Sequence, residues 1–274
     1  MSLDILALQS HFLEVGLLGP KAVRYGGPDE VLLCSSGPHS HLAEYSILCG
    51  PSRRRVLVRQ PKNMESAQTH SPLQGEIFLH QEKNTFTAQV EEWKHGCWYH
   101  STSVFANGLD ELMEKLRDIT PNESFVQSPK TKIPQGPFWS GSFAYDMVQW
   151  TQPLRLQHQP EDGELLTIMW LIERMVVQHR GDESMSVYAL ENDTWADEAN
   201  TNLEIYPKLR SLEPPQQSQE TSSLTDQSHE TIIDDIRESI RDGQMYQVNV
   251  GRWWDGKLNE HPRHIFQRLS EKNP

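Results

Sequence analysis

The most apolar stretch of the sequence, LLTIMWLIERMVVQH at residues 165–179, limits the folds that the chain can adopt. Its second half is rich in β-branched residues and ends at the turn Arg180-Gly181-Asp182, which favours buried strands. The segment MSVYAL at 185–190 then predicts a returning hairpin partner. A helix over 165–173 fits the same pattern, because a short apolar run does not distinguish a strand from a buried helix.

Short apolar runs broken by turn residues predict antiparallel sheet in the first half of the chain. The predicted strands are at 31–34, 45–49, 54–60, 75–81, 85–92 and 97–104. LDELMEKLRDI at 109–119 has leucines at helical spacing and predicts a helix with Asn107 as its cap. A polar helix is predicted over 193–209. The expected class is therefore α+β, with antiparallel β-sheets flanked by helices.

A polar tract divides the chain. EPPQQSQETSSLTDQSHE is rich in Pro, Gln, Ser and Thr, which is a linker composition. The predicted organisation is a domain over 1–212, a linker over 213–229 and the start of a second domain over 230–274.

The predicted second domain begins with a helix. It starts near Glu230, with Ser228 or His229 as its cap, and Gly243 lies where a left-handed C-cap belongs. One face carries four isoleucines, Ile232, Ile233, Ile236 and Ile240. GQMYQVNVGRWW at 243–254 predicts a strand. A last helix opens at Pro262 and directs apolar side chains inward, namely Ile265, Phe266 and Leu269.

Charge and cysteine content exclude several classes of protein. The net charge of -13 opposes binding to nucleic acid, and the basic run Arg53-Arg54-Arg55 reads as a solvated turn. Three widely spaced cysteines suggest neither a disulfide framework nor a zinc site, and His261 and His264 are expected in core or surface roles. The N-terminus lacks a basic leader, and no apolar run approaches a membrane span. We expect a cytoplasmic protein without membrane or nucleic-acid partners.

Four segments in a fixed order carry a family resemblance. They are LLCSSGPHSHLAEYSILCGP (32–51), PFWSGSFAYDMVQW (137–150), MVVQHRGDESMSVYAL (175–190) and Tyr246-Gln247-Val248-Asn249 with Asn273-Pro274 at the end. This pattern resembles the chorismate-utilising enzymes of the anthranilate synthase component I and aminodeoxychorismate synthase component I type. A Tyr-Gln-Val-Asn tetrad is more typical of the aminodeoxychorismate synthases, so a fragment of that enzyme is the first expectation. Anthranilate synthase component I and a non-catalytic regulatory or docking module are the alternatives.

The resemblance implies a chemistry and its partners. Enzymes of this type add ammonia from a glutamine amidotransferase subunit to chorismate, which is held beside Mg²⁺ by Glu carboxylates and basic groups. Those groups belong to the family's C-terminal half, so the catalytic residues are expected beyond Pro274. We therefore expect no bound cofactor and no activity from this chain alone. Asp234-Asp235 lies on the solvent side of the isoleucine-faced helix, and neither this pair nor Glu91-Glu92 is a metal candidate.

The resemblance also implies two non-catalytic sites. A tryptophan pocket of the family matches here at Ser35, Tyr45 and Ser46. Cys34 and Glu44 depart from the family pattern there, and a carboxylate at Glu44 would repel the carboxylate of an amino acid. In the strand at 243–254, Tyr246, Gln247 and Asn249 are expected to be structural, with the two amides buried and hydrogen-bonded at a seam between sheets.

Overall fold

The computed structural model describes residues 5–15, 31–34, 43–61, 86–126, 132–151, 160–204, 220–257, 265–266 and 268–269. The chain divides into two compact units, Met1–Leu209 and Arg210–Pro274. The elements in chain order are α1 (Ile5–Val15), β1 (Val31–Leu33), β2 (Tyr45–Cys49), β3 (Arg54–Arg59), β4 (Phe86–Lys94), β5 (Cys97–Ala106), α2 (Leu109–Asp118), β6 (Phe138–Phe143), a 3-10 helix (Tyr145–Trp150), β7 (Leu165–Ile172), β8 (Arg174–His179), β9 (Met185–Ala189), α3 (Thr194–Glu204), β10 (Glu220–Ser222), α4 (Asp226–Arg241) and β11 (Trp254–Gly256). Among the described helices, none is long and apolar enough to cross a membrane.

Two antiparallel sheets form the larger unit. Sheet A has the strand order β1-β2-β8-β9, and sheet B has the order β5-β4-β3-β7-β6. Every neighbouring pair in both sheets is antiparallel. The α+β class expected from the sequence is therefore confirmed. The strand predicted at 75–81 lies outside the described residues.

Two strands continue from one sheet into the other. β2 leads into β3 through a short link, and β7 leads into β8 at Glu173. Because β2 pairs with β8 and β3 pairs with β7, one antiparallel ribbon contributes to both sheets. At the bend, the N–H of Gly50 donates to the carbonyl of Arg174 at 2.9 Å. The Ser52 hydroxyl donates to the carbonyl of Leu171 at 2.8 Å. These bonds satisfy buried polar groups where the strand ladders are interrupted.

The apolar stretch at 165–179 forms β7 and β8, so the strand prediction is confirmed and the helical alternative for 165–173 is wrong. β7 lies between β3 and β6, and β8 lies between β2 and β9. All six residues of β8 are buried. A central strand that is covered on both faces reads as a continuous apolar run, which is why periodicity did not distinguish it from a helix. The predicted hairpin is also present, with Arg174 opposite Ala189.

Helices cover one face of each sheet. The core under sheet A contains Phe12 of α1, Leu48 and Val176 of the sheet, and Trp195 of α3. The other face of sheet A packs against a separate apolar cluster that includes Phe125 and Ile133. Sheet B packs against α2 and the 3-10 helix, through residues that include Leu112, Leu116 and Met147.

Helix α2 agrees with its predicted span, but its cap differs. The N-cap residue is Gly108, and it has no side-chain bond. Asn107 instead donates to Glu111 Oε2 from its backbone nitrogen at 2.8 Å and from Nδ2 at 2.7 Å. The prediction of Asn107 as the cap is therefore wrong by one residue, because the carboxylate of Glu111 reaches back to it.

The helix of the smaller unit begins earlier than predicted. Thr225 is its N-cap and accepts a hydrogen bond from the backbone nitrogen of Ser228 at 3.1 Å. The segment predicted as linker therefore contains β10 and the first turn of α4. The C-cap prediction is confirmed, because Gly243 has a φ of 72° and the N–H of Gln244 donates to the carbonyl of Ser239.

The strand predicted over 243–254 is wrong for this structure. Only Trp254–Gly256 forms a strand, and it pairs with β10. A strand needs a neighbour with open backbone groups, and in the described part of the smaller unit only the short β10 supplies them. Of the three residues expected to point inward, Phe266 and Leu269 are exposed, so the expectation is wrong for them, whereas Ile265 is half-buried.

Candidate functional site

Strand β2 places the predicted pocket residues Tyr45 and Ser46 on opposite faces of sheet A. Consecutive side chains of a strand alternate between its faces. The neighbours agree, since Tyr45 packs with the cluster of Phe125 and Leu48 packs with the cluster of Phe12. Ser35 lies outside the described residues. The structure therefore separates the two described pocket residues instead of bringing them together.

Ser46 lies on the face of sheet A that the helices cover. Ser46 is 1% exposed, and its hydroxyl donates to Cys34 Sγ at 4.0 Å. Gln178 of β8 is its register partner and is also buried. Polar side chains that are buried beneath helices act as internal hydrogen-bonding partners. We assign these residues to the packing between sheet A and the helices that cover it.

Tyr45 lies on the other face of sheet A, where several side chains are only half-buried. The Tyr45 ring stands edge-on to His179, with 5.1 Å between ring centroids and an interplanar angle of 81°. Half-buried apolar residues pack around the same cluster, namely Val31, Ile47, Phe138, Trp170 and Leu190. Partly open aromatic and aliphatic groups can bind the flat apolar part of a ligand.

Glu44 is paired in the structure. Lys132 Nζ donates to Glu44 Oε1 at 2.6 Å. The bond to Glu44 raises the pKa of Lys132 above its ordinary value. The repulsion that we expected between Glu44 and the carboxylate of an amino acid is therefore offset by the Lys132 ammonium.

An ion pair that was not predicted from the sequence lies at the bend between the sheets. Arg174 Nε lies 2.9 Å from Asp193 Oδ2, and both side chains are less than one tenth exposed. Asp193 Oδ1 accepts the N–H of Trp195 at 3.1 Å, so this carboxylate also caps α3. The signal in the sequence was a charged residue inside the apolar run and an Asp just before a helix. The ion pair and the helix cap together fix α3 against β8.

Glu173 lies beside this ion pair. Burial raises the pKa of the Glu173 carboxyl, while Arg174, Arg54 and Arg53 act in the opposite direction. Burial also lowers the pKa of Arg174, against the effect of Asp193. Perturbed groups that cluster at a bend are candidates for function, but an ion-pair network with a structural role produces the same shifts.

The acidic pair Glu91-Glu92 serves as partner to the basic run. Glu91 Oε2 accepts from Arg55 Nε at 2.7 Å, and Glu92 Oε1 lies 3.4 Å from Arg54 Nη2. Lys94 is the main cause of the lowered pKa of Glu92. The solvated-turn prediction for the basic run is therefore wrong for Arg54 and Arg55, because β3 aligns them opposite two carboxylates.

The described residues do not fit a magnesium ion. In the ranges that the structure covers, no three His, Cys, Asp or Glu side chains come together to hold a metal. Asp234 and Asp235 are exposed on α4, where Asp234 Oδ1 lies 3.3 Å from Arg237 Nη1. His261 and His264 lie outside the described residues.

The residues of the tetrad are open to solvent. Tyr246 is 94% exposed, and Gln247 and Asn249 are also exposed. The prediction of two buried, hydrogen-bonded amides is therefore wrong within this chain. Among the described residues, no strand pairs with 246–249, so the structure shows no sheet against which these amides could be buried.

Comparison with known proteins identifies the family to which the chain belongs. Residues 74–274, well over half of the chain, match the family described as chorismate binding enzyme, and the chain belongs to this family. The chain is also similar to the crystal structure of anthranilate synthase component I from Streptococcus pneumoniae TIGR4, with 14% identity and a TM-score of 0.47. That similarity covers 88% of this chain and 48% of the other, so this chain spans about half its length. No curated protein matches the chain.

The family match begins inside the larger unit. It starts at residue 74, whereas the sequence predicted the start of a chorismate-binding domain at 230. The division of the chain into two structural units falls after Leu209, close to the predicted end of the first domain at 212. The predicted domain boundaries stay predictions.

Proposed function

We propose that the chain is part of an aminodeoxychorismate synthase component I. This enzyme aminates chorismate to 4-amino-4-deoxychorismate, a step towards para-aminobenzoate and folate, with ammonia from a glutamine amidotransferase subunit. The observation that carries the choice is the tetrad Tyr246-Gln247-Val248-Asn249, inside the segment that matches the chorismate-binding family. Anthranilate synthase component I, with the same family chemistry and a different product, is the alternative.

Location and cofactor follow the same proposal. A cytoplasmic location is proposed because the sequence has three widely spaced cysteines, which suggest no disulfide framework. Mg²⁺ would bind to carboxylates of the family pattern that are expected beyond Pro274. On this proposal, the chain alone forms no product from chorismate.

The product distinguishes the candidates. The longest open reading frame that contains this sequence is expressed and incubated with chorismate, Mg²⁺ and an ammonium salt, and the products are separated by chromatography with mass detection. Aminodeoxychorismate is the expected product. Anthranilate would assign the alternative, and no amination would favour the regulatory or docking module. The 274-residue chain under the same conditions is expected to form neither product.

Tryptophan binding is a second candidate function, which the half-buried aromatic surface around Tyr45 favours. Calorimetric titration with tryptophan tests it. Because Tyr45 and Ser46 lie on opposite faces of β2, Tyr45→Ala is expected to abolish the binding heat and Ser46→Ala to preserve it. Absence of heat with the unmodified protein at millimolar tryptophan would end this proposal. Equal losses in both variants would show that the site is not on the Tyr45 side.

A further inference from the structure

The link between β5 and α2 contains Asn107-Gly108, the one place in the sequence where an asparagine is followed by a glycine. Asparagine is a chemically labile residue, because its side-chain amide can be attacked by the backbone nitrogen of the next residue. Glycine is the most permissive next residue, since it has no Cβ to shield that nitrogen and its backbone turns freely. The structure bears on whether the nitrogen and the amide are available.

The backbone nitrogen of Gly108 is available for this attack. Gly108 is the N-cap of α2, and its N–H donates to no group in the described part of the chain. The N–H groups at the start of a helix have no carbonyl of a preceding turn to bind. Asn107 is exposed, so water reaches its side chain. The nucleophile and the water that the reaction consumes are therefore both present at this link.

We propose that Asn107 is a site of deamidation through a succinimide. The Gly108 nitrogen gives its proton to water and forms a bond to Cγ of Asn107, while the bond between Cγ and Nδ2 breaks and ammonia leaves. Water then hydrolyses the cyclic imide at either of its carbonyls. Cleavage at Cγ gives aspartate, and cleavage at the backbone carbonyl gives isoaspartate, whose main chain runs through Cβ and Cγ. No oxidant or reductant takes part.

Glu111 restrains the amide that is lost. Its Oε2 accepts from the backbone nitrogen of Asn107 at 2.8 Å and from Nδ2 at 2.7 Å. Lys115 donates to Oε1 at 2.6 Å. The bond from Lys115 and then those from Asn107 lower the pKa of Glu111 to about 2, so the carboxylate is charged at neutral pH. Attack on Cγ requires the side chain of Asn107 to turn towards Gly108, and the bond from Nδ2 to Glu111 slows this turn.

The product reverses the interaction between residues 107 and 111. Aspartate and isoaspartate each carry a carboxylate where Asn107 has a donating amide, and this carboxylate faces that of Glu111. Like charges at hydrogen-bonding distance oppose each other, so Glu111 must move away. The reaction thus removes a tether between the end of β5 and the start of α2, the helix that buries Leu112 and Leu116 against sheet B.

Peptide mapping by mass spectrometry of the full chain, aged in neutral buffer, tests the proposal. The peptide with Asn107 should gain the mass expected when NH2 is replaced by OH, and an isoaspartate-specific methyltransferase should label part of the product. Asn192 is the internal control, since the N–H of the following Asp193 donates to the carbonyl of Leu190 at 3.3 Å. Asn192 should react at least about tenfold more slowly, because Asp193 also has a Cβ.

Gly108→Ala tests the nucleophile. The added Cβ shields the nitrogen and should slow the reaction of Asn107 at least about tenfold. The variant should fold, because Gly108 has a φ of 163°, which is extended backbone that any residue adopts. The nearest atom to the added Cβ is the carbonyl oxygen of Trp150 at 3.6 Å, an ordinary contact. Circular dichroism verifies the fold.

Glu111→Ala tests the restraint. Without the carboxylate, the amide of Asn107 turns freely, and the reaction should become severalfold faster. Asp110→Ala is the matched control, because Asp110 is an exposed acidic residue of the same first turn. This control should leave the rate of Asn107 unchanged.

Three results would overturn the proposal. Reaction of Asn107 no faster than that of Asn192 would remove the site, and an unchanged rate in Gly108→Ala would exclude the Gly108 nitrogen as the nucleophile. Equal rates in Glu111→Ala and Asp110→Ala would exclude the restraint by Glu111. Three Asp-Gly pairs, Asp162-Gly163, Asp242-Gly243 and Asp255-Gly256, can form the same imide, but they lose water instead of ammonia and return to their original mass. The mass gain therefore identifies the reaction at asparagine.

Discussion

At the scale of single residues, Gly50 is required by the close approach of Arg174 and Trp195. A Cβ on residue 50 would lie 2.4 Å from Arg174 Cγ and 3.0 Å from Trp195 Cζ2. Gly50→Ala must therefore displace Arg174 from Asp193 and should lower the free energy of unfolding by about 2–4 kcal/mol. Urea denaturation measures the change. Gly251→Ala is the control, because nothing lies within 4 Å of the added Cβ; similar losses in both variants would contradict the prediction.

Glu173 should make stability depend on pH in an unusual direction for a carboxyl. Burial raises its pKa in the folded state, so the folded chain binds its proton more tightly than the unfolded chain. Its contribution is therefore most favourable below the ordinary pKa of 4.5 and is lost as the pH rises through the higher folded value. Glu173→Gln should stabilise the chain at pH 8 by no more than about 1 kcal/mol, because the group is partly exposed and screened.

Unfolding of this variant at two pH values tests the sign. The stabilisation by Glu173→Gln should be present at about pH 8 and smaller at about pH 4, where the native carboxyl is largely protonated. A larger gain at the acidic pH would show that the neighbouring arginines outweigh burial.

At the scale of elements, helices α2 and α4 have similar patterns and different environments. Leu112 of α2 is fully buried against sheet B, whereas α4 has no buried residue. Leu112→Ala should lower the free energy of unfolding by about 3 kcal/mol through lost burial and a cavity. Ile236→Ala should change it by less than about 1 kcal/mol, because this side chain is only partly covered. Thermal or urea unfolding that gave equal losses would show that α4 packs its isoleucine face within this chain.

The sequence predicted elements whose signal is local. Strands β7 and β8 follow from a continuous apolar run, α2 and α4 follow from helical spacing, and the end of α4 follows from Gly243. The strand predicted over 243–254 was wrong, because a strand exists only where another strand supplies hydrogen bonds. The ion pair between Arg174 and Asp193 was not predictable, since it depends on how α3 docks on sheet A. The opposite faces of Tyr45 and Ser46 were predictable, because they follow from the period of a strand.

At the scale of the whole molecule, apolar exposure is concentrated in the smaller unit. Trp253 is 63% exposed, Trp254 is 59% exposed and Tyr246 is 94% exposed. Surfaces of this kind mark interfaces or lead to aggregation. We therefore expect the chain to have poor solubility, and light scattering that showed a monodisperse monomer with cooperative unfolding would contradict this expectation.

Hydrogen exchange should separate the two units. Helix α4 has 16 residues, which is long enough to form a helix, but none of them is buried. Its contacts with the rest of the unit include polar ones, such as the hydrogen bond from Arg252 Nη1 to Asp226 Oδ1 at 2.7 Å. β8 is buried throughout. Amides of α4 should therefore exchange at least about tenfold faster than those of β8 in the native chain, since local opening is governed by buried contacts.

Mass spectrometry of peptides from the exchanged chain measures both elements in one sample. Peptides over 226–241 are compared with peptides over 174–179, and the unfolded chain provides the intrinsic rates. A partner or further segment that covered the isoleucine face would slow exchange in α4 and leave β8 unchanged, because binding to the folded form stabilises the element it contacts. Equal protection of α4 and β8 in the isolated chain would instead mean that the smaller unit is stabilised by contacts other than buried apolar side chains.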